Sequence, residues 1–113
     1  MKFTPIVDLF LDEQDQAFSE AVRSFEQQDY ARAFVAFERL AKQEDPQAQI
    51  NLAIMLRDGL GRTADPVGAL AWLNRAASQG DEVARVEHNL LKQRLTSEQV
   101  ASATLRATEL LAA

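Results

Sequence analysis

Catalysis by side chains needs a nucleophile, a base and a group that orients the base. The chain offers one histidine for such work, His88, and no cysteine. Without cysteine there is no thiolate nucleophile, no disulfide framework and no thiolate zinc site, and a lone histidine lacks a second imidazole with which to hold a metal. A 36-residue offset within the chain lays His88 on Leu52, so the position reads as half-buried structure; a pH-sensing role is the functional alternative. The acidic run Asp12, Glu13 and Asp15 has the residue type of a cation site but not the glycine and terminal glutamate spacing of a calcium loop. A helix start, which favours negative charge, accounts for it better. Gly59-Leu60-Gly61 shares only its glycines with a phosphate-cradling loop, because no Lys-Ser/Thr pair follows. No catalytic residue, no metal ligand and no cofactor site is therefore expected.

The elements that carry these residues are helical by composition. Ala, Leu, Glu, Gln and Arg dominate, while Val, Ile, Thr and Tyr are few. With 47% apolar and 26% charged side chains in 113 residues, the chain is globular in type. It has the length of one domain, 1–113, able to bury roughly two-thirds of its unfolded surface. The formal net charge of −5 disfavours nucleic acid, whose phosphates demand clustered Lys and Arg. The short apolar stretch after Lys2 is interrupted by Asp8, Asp12 and Glu13 before a signal-peptide core or a membrane span is reached. No membrane association is expected, and a cytoplasmic location suits a chain without cysteine.

The 36-residue offset is also the main organising signal. It lays Asp29 on Asp65, Ala33 on Ala69, Ala41 on Ala77, Asp45 on Asp81 and Ala48 on Ala84, while Glu44 meets Gly80 and Ala36 meets Trp72. Asp45-Pro46 and Asp65-Pro66 each place an N-cap carboxylate before a first-turn proline. Gly80-Asp81 ends one helix and caps the next, and Thr96 with Gln99 makes a capping box. These signals predict helices at about 13–27, 30–43, 46–58, 66–78, 82–94 and 97–111. They pair as 13–43, 46–80 and 81–111. Residues 3–11 stand apart: Thr4 caps a short turn beginning at Pro5, and Ile6, Val7, Leu9, Phe10 and Leu11 make the segment too apolar for a free tail.

From Ala48 onward the order Ala48, Leu52, Gly59, Gly61, Asp65, Ala69, Trp72, Ala76, Ala77, Gly80 resembles one complete Sel1-like repeat, a tetratricopeptide-related unit. Ala53, Leu56 and Arg62 stand where that family usually has glycine, tyrosine and a small aliphatic residue. Residues 17–41, with Ala21, Phe25, Ala33, Phe37 and Ala41, look more like a tetratricopeptide unit, and the third pair replaces the glycine loop with Leu95-Thr96-Ser97. The resemblance implies an all-α fold, a short right-handed α/α solenoid of about three antiparallel helix pairs. Small alanines at the crossings allow close approach, and Leu52, Leu56, Leu70 and Trp72 supply the burial. Gly59 and Gly61 are expected where the chain reverses and needs a positive φ.

The same resemblance implies non-catalytic binding of another protein, in an adaptor or scaffold role, through an inner surface lined by the first helix of each pair. Taking Ala21, Ala53 and Asn89 as equivalent close-packing positions projects Phe18, Ile50 and Val86 into one apolar column and Val22, Ile54 and Leu90 into another. Arg57 and Arg94 stand at the edge, available to an acidic group. An apolar strip of this extent calls for a cover. The candidates are residues 3–11 of the same chain, a partner's helix or extended peptide, or residues 3–11 of a second copy, which makes a homodimer by exchange. The alternative role is a small binding inhibitor or immunity factor for a toxin or secreted enzyme.

Overall fold

The computed structural model describes residues 13–110, and among them are six α-helices and no strand. Helix α1 spans Glu13–Glu26, α2 Tyr30–Lys42, α3 Pro46–Asp58, α4 Pro66–Ser78, α5 Glu82–Lys92 and α6 Ser97–Glu109. Each start from α2 onward is capped by a side chain. Asp29 accepts from the Arg32 amide, Asp45 from those of Gln47 and Ala48, Asp65 from Gly68 and Asp81 from Ala84. Thr96 and Gln99 form the reciprocal capping box. These bonds satisfy amides that a helix N-terminus leaves without an intrahelical partner.

Three of the connections share one construction. Gln28, Glu44 and Gly80 adopt φ of 63°, 67° and 93°, and their amides donate to the carbonyls of Phe25, Ala41 and Ala77. The next residue in each case, Asp29, Asp45 or Asp81, donates to the carbonyl of Ser24, Leu40 or Ala76. This is the paired bonding of a Schellman motif, and the aspartate that completes it also caps the following helix. The alignment of Glu44 with Gly80 thus has a backbone reason: both occupy the left-handed position. The α3–α4 loop is built differently. Gly59 ends α3 at φ 71° and Gly61 follows at 86°. A Cβ on Gly61 would stand 2.6 Å from the Tyr30 carbonyl oxygen, so the loop lies directly on the start of α2. There the Arg62 guanidinium sits 5.2 Å from the centre of the Phe34 ring.

Phe37, Leu52, Met55 and Leu70 are fully buried, and Trp72 is 4% exposed. Ala33, Ala41, Ala48, Ala69, Ala76 and Ala84 expose no surface, which lets the helix backbones approach closely where they cross. The buried Gln49 side chain is satisfied, as burial requires: its amide donates to the Ala41 carbonyl at 3.0 Å and its oxygen accepts from Gln79 at 2.9 Å.

Packing runs α1 on α2, α2 on α3, α3 on α4 and α4 on α5, and α6 then returns to α4. The third pair is therefore more open than the first two, with α5 and α6 touching little beyond their junction. The reason lies one repeat apart. Gln49, Ala53 and Leu56 are buried on α3, whereas Arg85, Asn89 and Lys92, 36 residues on, are exposed on α5. Ala21 and Ala53, at 0% and 1% exposure, are close-packing positions as expected; Asn89 is not, because its polar side chain faces solvent. Ala103 and Ala107, one turn apart, are the buried residues of α6. Arg106 reinforces the contact by donating to both Asp65 carboxylate oxygens, at 3.3 and 3.0 Å. Gly68 leaves room for this pair, since a Cβ there would stand 2.5 Å from Asp65 Oδ2 and 2.9 Å from Arg106 Nη2.

Candidate functional site

Two clefts lie between the first helices of successive pairs. One, of about 360 Å³, is lined by Val22, Phe25 and Glu26 of α1, Phe37 of α2, and Asn51 and Ile54 of α3. The other, of about 380 Å³, is lined by Arg57 of α3, by Glu87, Leu90 and Leu91 of α5, and by Gln93 and Arg94 beyond it. Val22 and Ile54 therefore meet in the first cleft, and Arg57, Leu90 and Arg94 in the second. The projected columns are unevenly open. Ile50 is buried, and Phe18 is half-buried with its ring edge-on to Phe37 at 5.7 Å, so both serve packing. Val86 and Leu90 are 46% and 53% exposed. Phe25 was absent from the projection although it lies one turn beyond Val22; extending the Val22 column by that turn finds it.

Arg57 is not free for an incoming acidic group, contrary to the expectation from sequence. Its Nε and Nη2 donate to the two Asp58 carboxylate oxygens at 2.9 and 3.0 Å, and its Nη1 reaches Glu87 Oε2 at 3.4 Å. The Asp58 hydrogen bond raises the Arg57 pKa further. The same bond, opposed by burial and aided by the charges of Arg57 and Arg94, holds the Asp58 carboxyl below its ordinary range. Arg94 is exposed at the rim of the same cleft, where an acidic group can reach it.

His88 is half-buried, where its counterpart Leu52 is fully buried, and its Nδ1 lies 3.4 Å from Asn89 Oδ1. Glu13 and Asp15 stand in the first turn of α1, where the helix dipole favours negative charge. Asp12 and the segment 3–11 lie outside the described residues. Among the described residues no three His, Asp or Glu side chains gather to hold a metal ion, and no helix is long and apolar enough to cross a membrane.

The Sel1 repeat family matches residues 46–81, the stretch that holds α3, the glycine loop and α4. The chain carries a Sel1 repeat. Sel1 repeats are generally non-catalytic protein-interaction modules. Among solved structures, the chain is similar to a protective antigen present in uropathogenic Escherichia coli strains and displaying an SLR fold, with a TM-score of 0.78 and 25% identity. That likeness covers 88% of this chain and 22% of the antigen, so the chain spans about a fifth of the antigen's length. No curated protein matches the chain. The Sel1 repeat supplies the wall common to both clefts, because Ile54 lines the first and Arg57, one turn further along α3, lines the second.

Proposed function

We propose that the chain is a non-catalytic adaptor or scaffold module that holds a partner's helix or extended peptide across the clefts between α1, α3 and α5. One observation carries this reading: successive turns of a single Sel1-repeat helix, at Ile54 and Arg57, open onto an apolar cleft and a mixed one. A ligand crossing α3 meets Val22 and Phe25 on one side and the exposed Leu90 on the other. Anchors one turn apart are what an amphipathic helix or a peptide with regularly spaced apolar side chains engages, and an acidic residue on it reaches Arg94.

Affinity capture from the native cell tests this, using wild type beside Leu90→Asp, Ile54→Asp and Val35→Asp. Leu90 and Val35 are 53% and 65% exposed, so charging either leaves the core intact, and Val35 lines neither cleft. The expected result is a partner held by wild type and by Val35→Asp but lost with Leu90→Asp and Ile54→Asp. A partner held equally by all four proteins would move binding away from the clefts and end this reading.

A further inference from the structure

The two clefts share α3 as a wall but differ in the charge at their outer ends. The α1–α3 cleft is walled by Val22, Phe25, Phe37 and Ile54, and the one charged side chain on its lining is Glu26. Glu26 is exposed in the last turn of α1 and makes no ion pair among the described residues. The partial negative charge of that helix end adds to its own. Helix α1 as a whole carries four carboxylates against one arginine, so this side of the groove draws a cation. Helix α5 ends the other way. Lys92 stands in its last turn, and Arg94, just beyond, is exposed at the rim of the α3–α5 cleft. Asp58 and Glu87 engage Arg57, which leaves Arg94 to receive an acid.

A volume of about 360 Å³ for the first cleft is at the lower end of the roughly 300–1,000 Å³ that ligand pockets have, enough for side chains but not for a folded element. The occupant must match three features at once: an apolar side chain for the Phe25 and Phe37 walls, a cation beside it for Glu26, and an acid at the far end for Arg94. We infer that the partner is a polarised segment, with an apolar anchor and a neighbouring Lys or Arg over α1 and an acidic residue over the end of α5. Its charge order decides which of its ends lies on α1. The reversed placement would set an acid against Glu26 and a cation against Arg94, and like charges brought together oppose it. Rim charges of this kind contribute little to affinity and much to orientation. The inference rests on the reading of the clefts as the docking face.

A displayed library of random peptides, selected on the full chain, supplies the probe. Selected sequences should carry an apolar residue next to Lys or Arg and an Asp or Glu further along, in either chain order. A synthetic selected peptide with a nitroxide at its basic end should broaden the amide signals of residues 22–26 in isotope-labelled protein. With the nitroxide at its acidic end it should broaden those of residues 90–94. Replacing the peptide's basic residue by Glu should weaken binding to wild type roughly tenfold, and Glu26→Arg should recover most of that loss. Selected peptides without the charge pair, labels that broaden both regions alike, or no recovery with Glu26→Arg would each overturn the polarity. If such peptides still fail to bind Leu90→Asp and Ile54→Asp, the clefts remain the docking face. Peptides that bind those two variants as tightly as wild type would remove the clefts, and this inference with them.

Discussion

Gln28, Glu44 and Gly80 hold one backbone conformation with three different side chains, and the cost of each follows from the residue. A Cβ on Gly80 would meet nothing within 4 Å, so Gly80→Ala isolates the backbone penalty, about 1 kcal/mol of lost stability for an L-residue in the left-handed region. Gln28→Gly reverses the comparison at an exposed site. The relief of strain is partly offset by the greater freedom of glycine in the unfolded chain, for a net gain of about 0.5 kcal/mol. Trp72 and Arg62 belong to the same repeat but to opposite regimes. Trp72→Ala should cost about 3–5 kcal/mol, as deletion of a buried aromatic does. Arg62→Ala should cost about 0.5–1 kcal/mol, the worth of an exposed cation on a ring. Denaturant titration measures all four, and a Trp72→Ala cost within about 0.5 kcal/mol of wild type, the range of surface changes, would contradict its burial.

Between elements, the Asp65–Arg106 pair is the contact whose strength should follow pH. Burial works against ionisation of Asp65, but the hydrogen bonds from Arg106 and the Gly68 amide, with the charges of Arg106 and Arg62, outweigh it and hold the carboxyl below its usual range. The unfolded pKa is about 3.9. The folded pKa is lower, so this stabilisation is present in full above the unfolded value and is lost as pH falls through the folded one. Asp65→Asn keeps a competent helix cap and loses the charge. The melting-temperature gap between wild type and variant should hold steady from neutral pH down to about 5 and narrow below about 4. A gap that ignores pH would remove the ion pair as its cause. Helix ends were legible in the sequence because Asp-Pro, Gly-Asp and Thr with Gln act on their own neighbours. The partner of α6 was not, since Arg106 and Asp65 are 41 residues apart and nothing local links them. Asn89 misled because spacing alone equated it with Ala53; the polar stripe Arg85, Asn89 and Lys92 was the signal that this face stays wet.

Across the whole molecule the repeat period gave the architecture, and its departures gave the detail. Each helix from α2 to α5 packs on the one before it, as in repeat proteins stabilised by nearest neighbours. Val22, Ile54 and Leu90 hold one position in three successive units, because a solenoid repeats its inner positions, and each lines a cleft. Of the two carboxylates that engage Arg57, Glu87 escaped the sequence because it lies 30 residues away on α5, whereas Asp58 is the adjacent residue and its contact was local. The return of α6 to α4 has a kinetic consequence. Neighbouring helices form their contacts over short loops and fold quickly, whereas a contact across a long stretch of chain must first meet the entropy of closing that loop. The docking of α6 should therefore come after the transition state. Ala103→Gly and Ala107→Gly each remove about 1 kcal/mol of helix preference, enough to partition between the two rates. Both should speed unfolding in stopped-flow experiments and leave the refolding rate nearly unchanged. Slower refolding would place α6 in the nucleus instead.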